Sequence, residues 1–269
     1  MGLFAGLIMQ IFVINLDRSP ERFSAIQAEF AKVGLDHHLN RISAIDARDP
    51  GFEAPGYTPH SWRDRWELKR SEQAVFESHR AAWRRIADLE DTVGIVCEDD
   101  ILVSTAFPRV LEVLEGQHFG VVKLDGFNAT RRYGRATEVD GWQLRAIVEP
   151  VPSAACYAVS SAAARHLLAD SESYCETLDD FVFRARAGID PLQLFPAVAV
   201  QQMCCISPDS EEVPETSQRE RQDSSKAAKG PAAYRVLKEI RRSLRKRNLR
   251  GFEAHMPALC DDLPRYRDA

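Results

Sequence analysis

The chain contains 269 residues, of which 45% are hydrophobic, and its formal net charge is -5. This length and composition are typical of a globular protein with one large α/β domain, or two small domains, and a substantial core. The net negative charge argues against nucleic acid as a partner, because phosphate backbones are bound by basic surfaces.

The N-terminal segment, residues 1–16, is strongly apolar but too short to span a bilayer, and no basic region precedes it. We therefore expect neither a membrane span nor a signal peptide here. The six cysteines form no CxxC pair and no spacing suited to zinc, which is typical of reduced cytosolic thiols. Together these features predict a cytoplasmic protein.

Residues 10–16 form a continuous apolar run, which predicts a strand buried on both faces. A polar turn follows, and Ser19 with Pro20 predicts the N-cap and first turn of an amphipathic helix. A second strand is predicted over residues 38–45. Because ligands collect beyond the carboxyl ends of strands in open α/β sheets, polar residues at these two strand ends are candidates for a ligand site. These residues are Asn15, Asp17, Arg18 and Asp46.

The stretch from residue 49 to residue 69 has no clean hydrophobic period and predicts an irregular excursion of the kind that often forms a lid. Helical spacing resumes over residues 71–86. His79 falls on the apolar side of this predicted helix. A histidine in that position is more often a hydrogen-bonded structural residue than a catalytic one, and both interpretations stay open.

The next strand, residues 93–98, is apolar and leads into Glu98, Asp99 and Asp100. Crowded carboxylates raise one another's pKa unless they share a cation. Mg²⁺ or Mn²⁺ fits such a site, because hard oxygen ligands suit these ions and positions remain for water and substrate phosphates. The alternative is an acidic helix N-terminus after the strand, where the helix dipole favours carboxylates.

The second half of the sequence continues to alternate between strands and helices. The predicted elements are a helix at 107–114, a strand at 120–125, a hairpin with one arm at 143–148, and a strand at 154–160. Ser161 is the predicted cap of the helix that follows this last strand. Residues 192–200 predict a final strand at a sheet edge, because Pro196 cannot donate a ladder hydrogen bond. Asp179 and Asp180 precede an apolar helical run, and an N-cap pair is the simplest explanation for them.

The composition changes at residue 207, and the sequence predicts a core domain over residues 1–206, a flexible linker over 207–230 and a basic helical extension over 231–269. The basic helix at 234–250 carries a sparse apolar stripe. The stripe consists of Tyr234, Leu237, Ile240, Leu244 and Leu249. Such a helix either lies on an anionic membrane surface or docks on the domain by its stripe.

Five short blocks stand in a definite order within residues 10–205. They are residues 14–22 (INLDRSPER), Ser78-His79 with Trp83, residues 96–101 (VCEDDI), residues 157–160 (YAVS), and Asp179-Asp180. No block is specific alone, but together they resemble glycosyltransferase family 25, the group of lipopolysaccharide sugar transferases related to procollagen galactosyltransferases.

The resemblance implies a GT-A-type fold, which is a Rossmann-like mixed α/β sheet flanked by helices. It implies a UDP-sugar donor carrying galactose or a similar sugar, a glycan or glycolipid acceptor such as a lipopolysaccharide, and a Mn²⁺ or Mg²⁺ ion. Transfer would proceed with inversion at the anomeric carbon. The location expected from the cysteines, the N-terminal segment and the basic helix is cytoplasmic, either free or peripheral on the inner face of the cytoplasmic membrane.

Residue roles are assigned within this resemblance. Alternate residues leaving a strand point the same way, so Asp100 and Glu98 are the predicted metal ligands, and Asp99 would face the ribose or sugar. The other predicted donor-binding residues are Asn15, Leu16 and Asp46 for the uridine, Arg18 or Arg22 for the diphosphate, and His79. Asp179 is the predicted catalytic base, with Asp180 as the alternative.

Two other classes of protein stay open. A strand that ends in acidic residues is also found in Mg²⁺-binding receiver domains, for which Asp125 would be the only candidate phosphoacceptor. The second alternative is a carbohydrate- or nucleotide-binding protein that keeps the fold without the catalytic activity.

Overall fold

The apolar run near the N-terminus lies inside a nine-stranded sheet, as its hydrophobicity on both faces predicts. The computed structural model describes residues 9–90, 92–205 and 230–267. Within these ranges the chain forms twelve strands and six α-helices. The predicted fold class, a mixed α/β sheet flanked by helices, is confirmed.

The strands are numbered in chain order. They are β1 Gln10–Asn15, β2 Leu39–Ser43, β3 Val93–Glu98, β4 Ile101–Val103, β5 Val121–Lys123, β6 Asp125–Gly126, β7 Arg131–Val139, β8 Trp142–Ile147, β9 Cys156–Ser160, β10 Leu192–Phe195, β11 Ala199–Gln201 and β12 Glu253–His255. The helices are α1 Pro20–Ala31, α2 Arg70–Ala87, α3 Phe107–Glu115, α4 Ser161–Asp170, α5 Leu178–Val182 and α6 Ala232–Asn248. Single 3₁₀ turns lie at Asp36–His38 and Gln202–Cys204.

The large sheet has the strand order β12-β7-β8-β10-β5-β9-β3-β1-β2. β1 runs parallel to both β2 and β3, so the carboxyl ends of these three strands meet at one edge. β9 is antiparallel to β3 and β5, which makes the sheet mixed. A second sheet has the strand order β4-β11-β6, and its strand β4 follows β3 directly in the chain. This smaller sheet therefore brings the end of β11 beside the acidic end of β3.

Alternate residues of β1 supply the two halves of the core, because side chains of a strand point to opposite faces. Phe12 and Ile14 pack in the cluster that contains Trp83 of α2. Ile11 and Val13 pack in the other cluster, with α1 and α3. The sheet is thus covered on both faces around β1, and only the strand ends are left to form a polar site.

Three local expectations are corrected by the structure. Residues 192–200 do not form an edge strand: β10 lies between β8 and β5, and the chain leaves the ladder at Pro196 to enter the smaller sheet as β11. The cap of α4 is the Ser160 hydroxyl, which accepts a hydrogen bond from the Ala163 amide, and not Ser161. Ser19 stands at the N-cap of α1 but makes no side-chain capping hydrogen bond.

The C-terminal segment packs on the rest of the chain. β12 pairs with β7 at one edge of the large sheet, and Leu263 joins a small core cluster with Val200 and Cys205. The predicted linker at 207–230 lies outside the described residues except for Gly230, so it stays a prediction. In the described ranges no helix is long and apolar enough to cross a membrane.

Gly94 of β3 lies where α2 packs closely on the sheet, so a substitution at this position tests that packing. A Cβ atom at this position would lie 2.5 Å from the Ile86 Cγ1 atom, and Ile86 is fully buried. We expect Gly94→Ala to lower the free energy of unfolding by about 1–3 kcal/mol, because overpacking forces buried side chains off their rotamers. Urea denaturation measures this change.

The matched control is Gly116→Ala at the end of α3, where an added Cβ meets no atom within 4 Å. This variant should unfold close to the wild-type midpoint. Equal midpoints for Gly94→Ala and the wild type would contradict the described packing of β3 against α2.

Candidate active site

A cleft of about 700 Å³ opens where β1, β2 and β3 end. It is bounded on one side by the first half of α2 and on the other by the start of α1. The sequence-predicted residues that line it are Leu16, Arg18, Arg22, Asp46, His79, Glu98, Asp99 and Asp100. The parallel pairing of β1 with β2 and β3 explains why residues distant in sequence meet here.

Asp99 is turned toward the protein. Its Oδ2 accepts a hydrogen bond of 2.6 Å from Asn15 Nδ2, and its Oδ1 is ion-paired with the Arg22 guanidinium. Asn15 also donates to the Ser19 carbonyl at 3.0 Å and accepts from Arg41. Asn15 is 1% exposed and is not among the cleft-lining residues, so its side chain holds Asp99, and its predicted contact with the uridine stays a prediction.

Glu98 and Asp100 share one neutral donor. Gln201 Nε2 lies 2.8 Å from Glu98 Oε2 and 3.4 Å from Asp100 Oδ1. The Asp100 carbonyl also accepts from the Gln202 amide at 2.9 Å. These two carboxylates thus face a common donor, although β3 ends at Glu98 and Asp100 lies in the turn before β4. The predicted contact of Asp99 with the ribose or sugar stays a prediction.

Burial and mutual repulsion raise the pKa of both carboxyl groups. The pKa of Glu98 is raised to about 7, first by burial and then by the charges of Asp125 and Asp99. The pKa of Asp100 is also raised to about 7, by burial and by Glu98. Arg22 opposes both shifts and lies 3.7 Å from Asp100 Oδ2. A divalent cation between the two carboxylates would relieve this repulsion.

The donor set fits a cation that keeps most of its ligands for water and substrate. Among the described residues no group of three or more His, Cys, Asp and Glu side chains is arranged to hold a metal ion. Two oxygen ligands beside an open cleft nevertheless suit Mg²⁺ or Mn²⁺, which binds through one or two carboxylates plus substrate phosphates. Glu98 and Asp100 are the residues that would hold it.

Behind Gln201 lies a buried polar chain that the sequence did not indicate. Ser153 Oγ lies 3.2 Å from Gln201 Oε1 and 2.6 Å from Asp125 Oδ2. Asp125 is ion-paired with Lys123 at 2.6 Å, and both side chains are completely buried. Gln201 was missed because it follows an ordinary apolar strand, and only the pairing of β11 with β4 places it opposite Ile101.

His79 is buried in the wall of the cleft. Its Nδ1 lies 2.9 Å from the Tyr157 hydroxyl, which also accepts a hydrogen bond of 2.7 Å from Trp83 Nε1. Its Nε2 lies 3.6 Å from Glu98 Oε1 and has no hydrogen-bond partner in the described chain. Burial lowers the pKa of His79 to about 3, so the imidazole is neutral at physiological pH.

Arg18 and Asp46 form an ion pair of 2.6 Å on the cleft wall made by the ends of β1 and β2. Burial raises the pKa of Asp46, but hydrogen bonds from the Arg48 backbone and from Arg18 outweigh it, so the pKa lies below its usual value. Asp46 therefore stays ionised and holds Arg18 at the mouth of the cleft.

Asp179 and Asp180 lie in the first turn of α5, after the N-cap residue Thr177, and neither is among the cleft-lining residues. Asp180 Oδ2 accepts a hydrogen bond from the Thr177 hydroxyl at 3.1 Å. Burial and the neighbouring Asp179 raise the pKa of Asp180. The structure does not bring this pair together with the acidic strand, and the assignment of a base to it stays a prediction.

Comparison with known proteins identifies the family. The family model described as glycosyltransferase family 25 (LPS biosynthesis protein) matches residues 8–182 of the 269-residue chain. The chain belongs to glycosyltransferase family 25. The match includes the ends of β1, β2 and β3, and it also includes Asp179 and Asp180, so every predicted site residue lies within it. Gln201 lies beyond it.

Two insect proteins, each named glycosyltransferase 25 family member, are similar to this chain. The Aedes aegypti protein is 31% identical over 117 residues, which are 40% of this chain and 19% of that protein. The Drosophila pseudoobscura pseudoobscura protein is 29% identical over 125 residues, which are 43% of this chain and 19% of that protein. The chain thus matches about a fifth of the length of these relatives.

The raised pKa of Glu98 predicts that the stability of this chain depends on pH when divalent cations are absent. Its ordinary pKa is 4.5 and its pKa in the folded protein is about 7, so the folded state binds more protons in this window. Stability from this group therefore falls as the pH rises through the window. Compared with the wild type, Glu98→Gln should gain a few degrees in Tm near pH 8 and almost nothing near pH 5, as followed by thermal unfolding in EDTA.

Because the pKa of His79 is lowered, its contribution to stability rises with pH instead of falling. His79 is present in both the wild type and Glu98→Gln, so its contribution cancels when their Tm values are compared. Glu90→Gln, a change of an exposed carboxylate, serves as the control and should show no pH-dependent gain. A Glu98→Gln gain that is the same at both pH values would contradict the raised pKa.

Proposed function

We propose that the chain is a metal-dependent glycosyltransferase that moves a hexose, such as galactose, from a UDP-sugar to a glycan or glycolipid acceptor, such as a lipopolysaccharide, with inversion. The observation that carries the proposal is the pair Glu98 and Asp100, two half-buried carboxylates with raised pKa that face one cleft beside two arginines. Like charges that are held close together and partly withdrawn from water are costly for stability and are typical of sites that bind a cation and a phosphate group.

Different residues of the cleft would bind different parts of the UDP-sugar. Leu16 and Asp46, at the ends of the first two strands, would contact the uridine, and Arg18, held by Asp46, would reach the diphosphate. Arg22 compensates the charge of Asp99 and Asp100 and stands on the same side. A Mn²⁺ or Mg²⁺ ion held by Glu98 and Asp100 would neutralise charge that develops on the departing diphosphate.

Inversion requires a base on the face of the sugar opposite the leaving group. The acceptor hydroxyl oxygen attacks the anomeric carbon, the bond to the UDP oxygen breaks, and the hydroxyl proton passes to the base. Asp179 is proposed for this role, with Asp180 as the alternative. The position of Asp179 in the first turn of a helix supports this role, because the helix N-terminus favours the ionised carboxylate.

Of the two alternatives, the receiver domain is disfavoured by Asp125. A phosphoacceptor must be reached by a phosphodonor, whereas Asp125 is completely buried and paired with Lys123. A protein that binds a nucleotide sugar without turnover is distinguished by experiment, because it would bind UDP with Mn²⁺ and release no product.

Two variants separate cation binding from the chemical step. Asp100→Ala should weaken Mn²⁺-dependent UDP binding and lower turnover by about 100-fold or more, because it removes a stabilising group of the transition state. Asp179→Asn should bind UDP as the wild type does and fail to transfer the sugar. Isothermal titration with UDP and Mn²⁺, together with UDP release from a panel of UDP-sugars, measures both effects.

Glu90→Gln is the control and should behave as the wild type in both assays, since this carboxylate is exposed and outside the cleft. Retained turnover in both Asp100→Ala and Glu98→Ala would overturn the metal assignment. Full transfer by Asp179→Asn would place the base elsewhere.

We also propose that α6 attaches the enzyme to an anionic membrane, as a peripheral protein on the cytoplasmic face. The helix docks on the chain through Tyr234, which is buried and donates to the Arg63 carbonyl, and through Arg245, which pairs with Asp64. The predicted stripe is therefore split, since Tyr234 and Leu249 face the protein. The apolar residues left outward are Val236, Ile240 and Leu244, which are 61%, 51% and 53% exposed.

The docking of α6 through Tyr234 and Leu249 leaves a second group of apolar side chains on its outer side, available to another partner. The outward residues are one turn apart, with Arg247 beside them, which suits an apolar surface bordered by phosphate headgroups. Burying a free apolar side chain is worth about 1.5–3 kcal/mol, so the proposed contact has a measurable size.

The triple variant Val236→Gln, Ile240→Gln, Leu244→Gln should bind vesicles of phosphatidylglycerol and phosphatidylcholine at least about tenfold more weakly than the wild type. A tenfold change in affinity corresponds to about 1.4 kcal/mol, which is less than the free energy of burying one of these side chains. The turnover of the triple variant on a soluble acceptor should be unchanged. Cosedimentation measures the partition. Met256→Gln, a change of an apolar side chain 47% exposed outside the helix, is the control. Equal partition of the triple variant and the wild type would contradict the proposal.

A further inference from the structure

Three buried side chains stand in a row behind Glu98. Trp83 Nε1 donates to the Tyr157 hydroxyl oxygen at 2.7 Å, and the same hydroxyl lies 2.9 Å from His79 Nδ1. Tyr157 and Trp83 are completely buried, and His79 is 1% exposed. They come from two elements, since His79 and Trp83 are one turn apart on α2 and Tyr157 lies on β9.

The hydrogen atoms of this row can be assigned from the donor and acceptor inventory of the side chains. The Trp83 indole is a donor only, so the Tyr157 oxygen must accept from it. The single Tyr157 hydrogen then has His79 Nδ1 as its acceptor. The reverse assignment would leave the Tyr157 hydrogen without an acceptor in a fully buried place, which costs about 1–3 kcal/mol. Nδ1 is therefore unprotonated, and the neutral ring carries its hydrogen on Nε2.

The hydrogen on Nε2 is directed at the acidic site. Nε2 lies 3.6 Å from Glu98 Oε1 and has no hydrogen-bond partner in the described chain, although the atom is buried. Glu98 Oε2, on the other side of the carboxylate, accepts from Gln201 at 2.8 Å. The two Glu98 oxygens are thus each faced by a neutral N–H group, from α2 on one side and from the smaller sheet on the other.

We propose that Tyr157 and Trp83 are positioning residues that fix His79 in the Nε2–H tautomer, and that this hydrogen holds Glu98 Oε1 when the cleft is occupied. The role rests on the proposed function, because Glu98 is there a ligand of the divalent cation. His79 transfers no proton. It sets the plane of the Glu98 carboxylate, as partners behind metal ligands commonly do.

Burial keeps His79 neutral, and the row determines which ring nitrogen carries its hydrogen. The opposite neutral tautomer would direct the Nε2 lone pair at the lone pairs of Glu98. Only the Nε2–H tautomer is compatible with Trp83 and Tyr157 on one side and with a carboxylate on the other.

Nitrogen-15 NMR of the imidazole rings tests the tautomer in the ligand-free enzyme. The chain has seven histidines, and His79→Gln identifies the signals of His79. In the wild type near pH 7 we expect a protonated Nε2 and an unprotonated Nδ1. Tyr157→Phe should convert this pattern into a mixture of tautomers. Tyr174→Phe, which removes another buried hydroxyl that hydrogen bonds Glu77, should leave it unchanged.

Titration of Mn²⁺ in the presence of UDP tests the effect on Glu98. Partners behind metal ligands typically contribute 10–100-fold in affinity, so Tyr157→Phe should bind Mn²⁺ about tenfold or more weakly than the wild type. Tyr174→Phe should bind within about twofold of it. Far-UV circular dichroism and Tm show whether both variants fold. If one variant does not fold, the nitrogen-15 spectrum of the wild type still decides which tautomer of His79 is present.

Several results would overturn the proposal. A wild-type His79 that is protonated on Nδ1 contradicts the hydrogen assignment, and an unchanged pattern in Tyr157→Phe contradicts the role of Tyr157. If Tyr157→Phe shows a mixture of His79 tautomers but binds Mn²⁺ as tightly as the wild type, His79 does not hold Glu98. A wild type that binds no Mn²⁺ with UDP defeats the proposed function and the cation half of this inference, whereas the spectra still decide the tautomer half.

Discussion

The structure around the cleft depends on one constraint: three consecutive carboxylates at the end of a buried strand must each be compensated. Asp99 is compensated inside the protein, by Asn15 and by the charge of Arg22. Glu98 and Asp100 share the neutral amide of Gln201, Arg22 lies 3.7 Å from Asp100, and both carboxyl groups keep raised pKa values. The first arrangement fixes the strand end, and the second leaves a pair of carboxylates whose repulsion a bound cation would relieve.

The mixed topology supplies these partners from four directions. β1 contributes Asn15 because it runs parallel to β3, and α1 begins close enough for Arg22 to reach over the strand end. The smaller sheet brings Gln201 to the other side, backed by a completely buried ion pair. α2 contributes His79 and Trp83, which are joined to Tyr157 of β9. The cleft is the space left between these elements.

Much of this could be predicted from the sequence, because it depends on local periodicity. The apolar runs indicated β1 and β3, and the polar residues after them indicated the ligand edge, so the meeting of Arg18, Asp46 and the acidic strand was expected. The roles of Gln201 and Tyr157 were not, since they follow from the pairing of β11 with β4 and of β9 with β3. The edge strand predicted from Pro196 was wrong, because β10 lies inside the large sheet and no local rule shows that the chain enters a second sheet after it.

The central claim is that Glu98 and Asp100 hold a divalent cation while Asp99 stays bound to the protein. Anomalous diffraction from a crystal grown with UDP and Mn²⁺ tests it most directly. The account predicts one anomalous peak in coordination contact with the carboxylates of Glu98 and Asp100, with Asp99 still on Asn15 and Arg22. A crystal with UDP in the cleft and no peak at these carboxylates, or a peak coordinated by Asp99 released from Asn15, would contradict it.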